Sequence, residues 1–226
     1  PAIADAINEG DVHEPSDTQS LTVTDVHLTP RENGVGVLAR VEIQGTLDDD
    51  GDVTYGDAPL RLGRSLSIAT DRYQVKGSVR SVGDSDAIDR AETRVVLQET
   101  VTATTAEAVA PGDEVRIAGR TVATIEEAVA YTTAEPGTRR LWLVASLDAH
   151  RHGGDLRFGG TPLRTGQTLT LPAEDYQVAG TVERVGPDVG LGDTTTRRVT
   201  LRMDEVHEDL AERIEPGMAE RTGGET

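Results

Sequence analysis

Residues 56–83 read GDAPLRLGRSLSIATDRYQVKGSVRSVG, and residues 159–186 read GGTPLRTGQTLTLPAEDYQVAGTVERVG. The two stretches align without a gap and are identical at 13 of 28 positions, among them Pro59/Pro162, Leu60/Leu163, Arg61/Arg164, Gly63/Gly166, Tyr73/Tyr176 and Gly77/Gly180. Self-similarity of this quality at a fixed interval marks an internal duplication. Whatever fold one copy takes, the other shares. Both copies keep glycine, proline, tyrosine and spaced aliphatics, the residues of turns and strands.

Working outward, Val37, Ala39, Val41 and Ile43 recur at every second position, as do Leu141, Leu143, Ala145 and Leu147. A period of two predicts half-buried strands. Each run leads into a polar turn, Asp48–Asp52 in one copy and His150–Asp155 in the other, with the Asp-Gly or Gly-Gly pair that a tight turn with positive φ requires. A helix-like element stopped by glycine occurs three times, at Ala2–Asp11, Thr105–Asp113 and Asp209–Met218. Thr104 with Glu107, and Asp209 with Glu212, have capping-box spacing. Turn signals every 8–12 residues and little helical periodicity predict an all-β fold, mainly β with short helices. The expected architecture is two tandem homologous barrel- or sandwich-like domains, 1–98 and 99–226. The second carries a C-terminal helical segment and a disordered acidic, glycine-containing tail. The strand Thr93–Val101 falls at the junction and is able to serve either domain.

The chain carries 22 basic and 40 acidic residues, a net charge of -18. Lys76 is the single lysine, and aromatic residues are few: Trp142, Phe158 and four tyrosines. An acidic, lysine-poor chain with small aliphatics fits a protein that works in molar salt, where a Debye length of roughly 3 Å screens its self-repulsion. The composition therefore points to a salt-loving organism, with an acidic mesophilic protein or an acidic interaction surface as the alternative, and the expected source is a halophilic archaeon. Nucleic acid is not an expected partner, because phosphate binding needs clustered cations and these arginines are dispersed among acids. With no cysteine, disulfides, thiolate catalysis and Cys-based metal sites drop out. No stretch approaches eighteen apolar residues, so no membrane span is expected within the chain.

The Ala-Ile-x-x-Gly-Asp element at Ala6–Asp11, the Thr121–Ile125 strand and the Leu-Arg-x-Gly-x-x-Leu loop at Leu60–Leu66 together resemble a prokaryotic family catalogued as domain-of-unknown-function family 4330. The resemblance covers most of both copies and rests on glycines and strand residues. It implies a β-rich part outside the cytoplasm, on the membrane face or cell surface, behind one membrane helix near the N-terminus. This sequence departs from the pattern in lacking that helix, so an anchor would lie outside the chain.

Candidate sites are suggested by the residues the duplication keeps. Arg61 and Arg164 are the charged residues identical in both copies, and two guanidinium forks on a repeated Pro-Leu-Arg loop suit an anion or a partner carboxylate. The alternative is an arginine that pins its own loop. Tyr73 and Tyr176 are either ligand platforms or half-buried tyrosines with a bonded hydroxyl. His150 and His152, read as lying in a turn near Asp148 and Asp155, are weak metal candidates. The Asp48–Asp52 run lacks the Gly and Glu positions of a calcium loop. No catalytic residue and no cofactor is expected, since neither a phosphate cradle nor a nucleophile motif is present.

One asymmetry stands out. The strand Thr93–Val101 precedes the helix of the second copy, and Arg197–Met203 precedes the C-terminal helical segment, but no such strand precedes the first helix. The first copy should therefore have an open or partner-filled edge. An upstream segment, the C-terminal strand of a neighbouring molecule, or Thr93–Val101 itself could fill it. Three functional readings stay open: a non-enzymatic scaffold or protein-interaction module, a subunit of a surface assembly with head-to-tail contacts, and a small-ligand or anion binder or enzyme. A protein partner or self-association is expected under the first two.

Overall fold

Long strands with aliphatics at every second position bury one face and need partners along both edges, and that requirement organises the molecule. The computed structural model describes residues 4–218 apart from 5, 32–33, 50, 84–86, 194, 201, 205 and 212. It is all-β, with antiparallel pairing throughout the described ladders.

The first unit contains β1 (Val12–Ser16), β2 (Gln19–Arg31), β3 (Gly34–Gln44), β4 (Thr46–Leu47), β5 (Val53–Tyr55), β6 (Ala58–Pro59), β7 (Ser65–Ala69) and β8 (Gln74–Ser78). These form three separate small sheets, β1-β2-β3, β4-β5-β6 and β7-β8. The second unit contains β9 (Arg90–Thr102), α1 (Ala103–Ala108), β10 (Glu114–Ile117), β11 (Arg120–Thr132), β12 (Thr138–His152), β13 (Asp155–Phe158), β14 (Thr161–Pro162), β15 (Thr168–Pro172) and β16 (Gln177–Gly186). Here the pieces merge into one eight-stranded sheet of order β10-β11-β12-β9-β16-β15, with β13 on β12 and β14 on β13. A short α2 (Glu208–Ala211) comes last.

The duplication is written in the backbone. Gly10 N–H donates to Val23 O at 2.8 Å and Gly112 N–H to Ile125 O at 2.7 Å. Val23 N–H and Ile125 N–H return bonds to Asp11 O and Asp113 O. Both long strands then bulge at the same place, between Val23 and Asp25 and between Ile125 and Glu127. Gly63 and Gly166 take φ of 80° and 84°, a conformation that excludes most side chains. Their amides bond Val79 O and Val182 O. Two chains of the same length and turn chemistry have folded alike.

The difference between the units is one strand. β9, the strand expected at the junction, pairs along thirteen residues with β12 and on its other side with β16. Both partners belong to the second unit. Leu141, Leu143, Ala145 and Leu147 are accordingly buried, whereas β3, which carries the same spacing, stays half-exposed, with Val37 40% exposed.

The units share one apolar core that runs from Ala4, Leu21 and Val26 to Leu97, Leu147 and Phe158. The end of β2 lies on the β13–β14 turn. A side chain at Gly159 would meet the Pro30 carbonyl oxygen at 2.7 Å.

Several expectations are corrected. The cap of α1 is Thr102, whose hydroxyl accepts the Thr105 N–H, rather than Thr104. Asp209 lies inside α2, and its expected partner Glu212 is outside the described residues. Among the described residues of 197–203 there is no strand, because a strand needs a ladder partner and this stretch has none among the described residues. Ala4 and Ala6 are helical, as the first helix-like element predicts. The C-terminal tail 219–226 and residues 2, 3 and 5 lie outside the described residues.

Candidate functional site

The repeated tyrosines and the repeated Gly-Asp turns form one device. Tyr73 OH donates to Asp11 Oδ2 at 2.7 Å, and Tyr176 OH donates to Asp113 Oδ2 at 2.7 Å. The same carboxylate oxygens receive backbone N–H bonds from Asn8 and Ala110, each at 2.8 Å. In the first unit Arg72 also bonds Asp11. Burial works against the Asp11 charge, but the Asn8 amide, the Tyr73 hydroxyl and Arg72 outweigh it and hold the carboxyl below its ordinary range. Burial and the facing carboxylate push both tyrosine hydroxyls well above theirs. These are internal tethers, each tying the start of a unit to its closing hairpin.

The repeated arginines also pair with carboxylates of their own units, at the surface. Arg61 faces Asp52 at 3.7 Å, and Arg164 bonds both oxygens of Asp155 at 2.9 and 3.0 Å. They do not share a cleft. The loop is fastened to backbone carbonyls by Arg64, which reaches Tyr55 O, Ala58 O and Pro59 O and which sequence reading did not single out. The two ends of the Asp48–Asp52 run are tied to each other, Asp48 N–H donating to Asp52 O at 3.0 Å and Asp52 N–H to the Asp48 side-chain Oδ1 at 2.9 Å.

His150 is not in a turn. It sits in β12, buried, while His152 is exposed at the strand end. Asp155 is engaged by Arg164, and Asp148 faces His27 instead. Among the described residues no group of three or more His, Asp or Glu side chains is placed to hold a metal ion.

His150 instead belongs to a buried polar cluster between the units. Its ring meets that of His27 edge-on, with centroids 5.1 Å apart. His27 Nε2 donates to Asp148 O at 2.7 Å, since a carbonyl oxygen only accepts. The Nδ1 atoms of both rings are buried without a partner among the described residues. Arg90, the first residue of β9, bonds Asp25 Oδ1 at 2.5 Å and Val26 O at 2.8 Å, and Asp25 Oδ2 accepts the Ile88 N–H. Burial, with His27, His152 and Arg157 nearby, lowers the His150 pKa to about 4. For Asp25, burial is outweighed by the Ile88 and Arg90 bonds and the carboxyl pKa falls. The cluster cements the unit junction. An open depression beside it is lined by Asn8, Glu9, Val26, Arg90 and Arg120, and includes none of Arg164, His150 and His152.

The place that β9 takes in the second unit holds no strand in the first among the described residues. Among the described residues β3 and β8 each end their sheets with an unpaired edge. In the second unit Gly180 lies so close to β9 that a Cβ there would stand 3.1 Å from Leu97 Cβ and 3.4 Å from Gln98 O. At the equivalent Gly77 a Cβ would meet nothing within 4 Å. β16 runs to Gly186 along β9, whereas β8 stops at Ser78 and leaves Val82 65% exposed. Arg40 of β3 reaches across to Ser81 and Gly83. Edge strands such as β3 and β8 can bind extended peptide by completing a sheet.

Among the described residues no helix is long and apolar enough to cross a membrane. Compared with family models, curated proteins and solved structures, the chain matches none of them.

Proposed function

We propose that this chain is a non-enzymatic interaction module that receives an extended segment of a protein partner in the β3–β8 slot. The observation that carries this reading is the contrast between Gly77 and Gly180, identical residues in duplicated strands, one facing open space and the other packed on β9. Unpaired N–H and C=O groups beside a half-exposed apolar face gain both hydrogen bonds and burial when a strand enters. The acidic, lysine-poor composition supports a halophilic archaeal source. The resemblance to family 4330 supports a place on the extracytoplasmic face of the membrane or the cell surface, with any anchor outside this chain. The tethered tyrosines and paired arginines serve the fold in this reading.

Hydrogen exchange in molar KCl tests it. In the isolated monomer the amides of β3 and β8 should exchange faster than those of β12 and β16, by the loss of one ladder. Ten-residue peptides with alternating apolar residues should slow them. Equal protection of the two sets in the monomer, with no response to any peptide, would sink the interaction reading.

A further inference from the structure

We infer that the outer face of the eight-stranded sheet binds an acidic polysaccharide, on a platform of Trp142 and Tyr131 with Arg140 beside them. The site lies in the second unit and does not depend on the strand-binding reading above.

Alternation places these side chains. Leu141 and Leu143 of β12 and Val95 and Leu97 of β9 belong to the core, so Arg140, Trp142, Gln98 and Thr100 stand on the other face. The register aligns them in two rows. Val129 of β11 lies opposite Trp142, Trp142 opposite Gln98, and Gln98 opposite Thr181 of β16. In the next row Tyr131 lies opposite Arg140, and Arg140 opposite Thr100. Tyr131 and Trp142 are thus diagonal neighbours on adjacent strands, about 7–8 Å apart and within reach of one ligand. The face is closed at one end. Val144 and Val96 form the row before Trp142 and are buried, yet they lie outside the main core. The loop after β16 meets this end, where Leu191 N–H donates to Glu127 Oε2 at 3.2 Å and Arg184 bonds Gly190 O. The two rows past it are open, with Val129 39% and Tyr131 55% exposed.

The chemistry of the open rows narrows the ligand. Phe158, Tyr55 and Tyr73 are buried and Tyr176 is tied to Asp113, so the two remaining aromatics of the chain stand side by side here. The chain has 40 acidic residues, and neither row holds one. Arg140 has no ion pair among the described residues. A sugar ring offers an apolar C–H face to an indole or phenol ring, and hydroxyls at its edge to Gln98, Thr100 and Thr181. An unpaired guanidinium fork suits a sugar carboxylate, and such a direct bidentate bond is screened by salt less than a distant attraction. A protein interface needs a more apolar centre than one valine and two rings among amide and hydroxyl side chains. Stacked nucleobases need a groove of cations, which one arginine in a chain of net charge -18 does not make. Paired strands hold the platform rigid, so little freedom is lost on binding.

Trp142 is the single tryptophan, so its fluorescence reports the site directly. In molar KCl, hexamers of galacturonic or guluronic acid should shift its emission, and Tyr131→Ala should weaken their binding about fivefold to tenfold. Arg140→Gln should weaken the acidic hexamers about tenfold. It should leave unchanged the binding of the hexagalacturonate methyl ester, which has the same rings without the charge. Both substituted positions are exposed, and unchanged melting temperatures would show the fold intact. An emission that ignores both acids, the ester and neutral cellohexaose overturns the site. Equal affinity of the unmodified chain for acid and ester overturns the role of Arg140, and with it the acidic ligand. A signal that follows protein concentration alone, with mass rising in light scattering and falling back in Tyr131→Ala, gives the face to a second copy and overturns the sugar reading. The sugars should leave amide exchange in β3 and β8 as it was, so this result and the peptide result are separable.

Discussion

Replacing Tyr73 by Phe removes one hydroxyl from a site where the consequences are calculable. Its hydrogen bond runs to Asp11, a buried carboxylate also held by the Asn8 amide and Arg72. Hydrogen bonds to charged groups contribute about 1.5–3 kcal/mol, and the aromatic ring itself is kept by Phe. At about 2–4 °C per kcal/mol for a chain of this size, the melting temperature should fall by roughly 3–12 °C. Tyr176→Phe should cost less, about 0.5–1.5 kcal/mol, because Asp113 is less buried and Asp175 stands where the first unit has Arg72. The assay is urea unfolding of both variants, with an Asp11→Asn/Tyr73→Phe double-mutant cycle. pH adds an independent check. The Tyr73 hydroxyl is raised above its ordinary pKa of 10.0, so its contribution is complete below about pH 10 and declines as the pH climbs above it. Tyr73→Phe should lose that alkaline decline. A coupling energy below about 0.5 kcal/mol, or a larger cost for Tyr176→Phe than for Tyr73→Phe, would refute the tether as a stabilising device.

Acid should act on the unit junction in a separate window. With the folded His150 pKa lowered from 6.5 to about 4, the unfolded chain binds the extra proton first. Stability is therefore intact above pH 6.5, and about 3 kcal/mol drains away as the pH falls toward 4; an NMR titration placing His150 above 6 would contradict this. Gly180→Ala should destabilise by about 1–3 kcal/mol through contact with Leu97 and Gln98, while Gly77→Ala in the monomer should stay within about 0.5 kcal/mol; equal costs in unfolding experiments would mean the two sites are equally packed. The melting temperature should rise steeply from dilute buffer into molar KCl, beyond the few hundred millimolar at which simple screening is largely complete; a flat profile would be incompatible with a halophilic surface.

The features legible in the sequence were local. The duplicated block, the period-two strands and the turn glycines all express neighbours within a few residues, and each copy reports the same preferences twice. The repeated Tyr and Gly-Asp were each visible, 62 and 63 residues apart in the two copies, but nothing in that spacing says that they touch. The rest depended on pairings that no periodicity encodes. Val95 and Leu97 mark β9 as a strand without saying which edges it joins. His27 lies among apolar strand residues, and its partner Asp148 is 121 residues away. Its burial comes from the β2 bulge, which shifts the phase of alternation, and from docking of the second unit. The segment 197–203 has strand-like spacing, yet spacing supplies no partner.

The tyrosine tethers also give the molecule a mechanical character. Asp11 and Tyr73 lie near opposite ends of the first unit, so tension along the chain reaches this bond before most of the intervening strands. In the second unit the ladders of β9 with β12 and β16 lie outside the Asp113–Tyr176 bond and take the load first. The 62 and 63 residues behind them hold up to about 200 Å of contour length each. A protein pulled from both ends would thus yield first in the unit that lacks such ladders, releasing one large, discrete extension, and act as a stiff link below that load and a shock absorber above it.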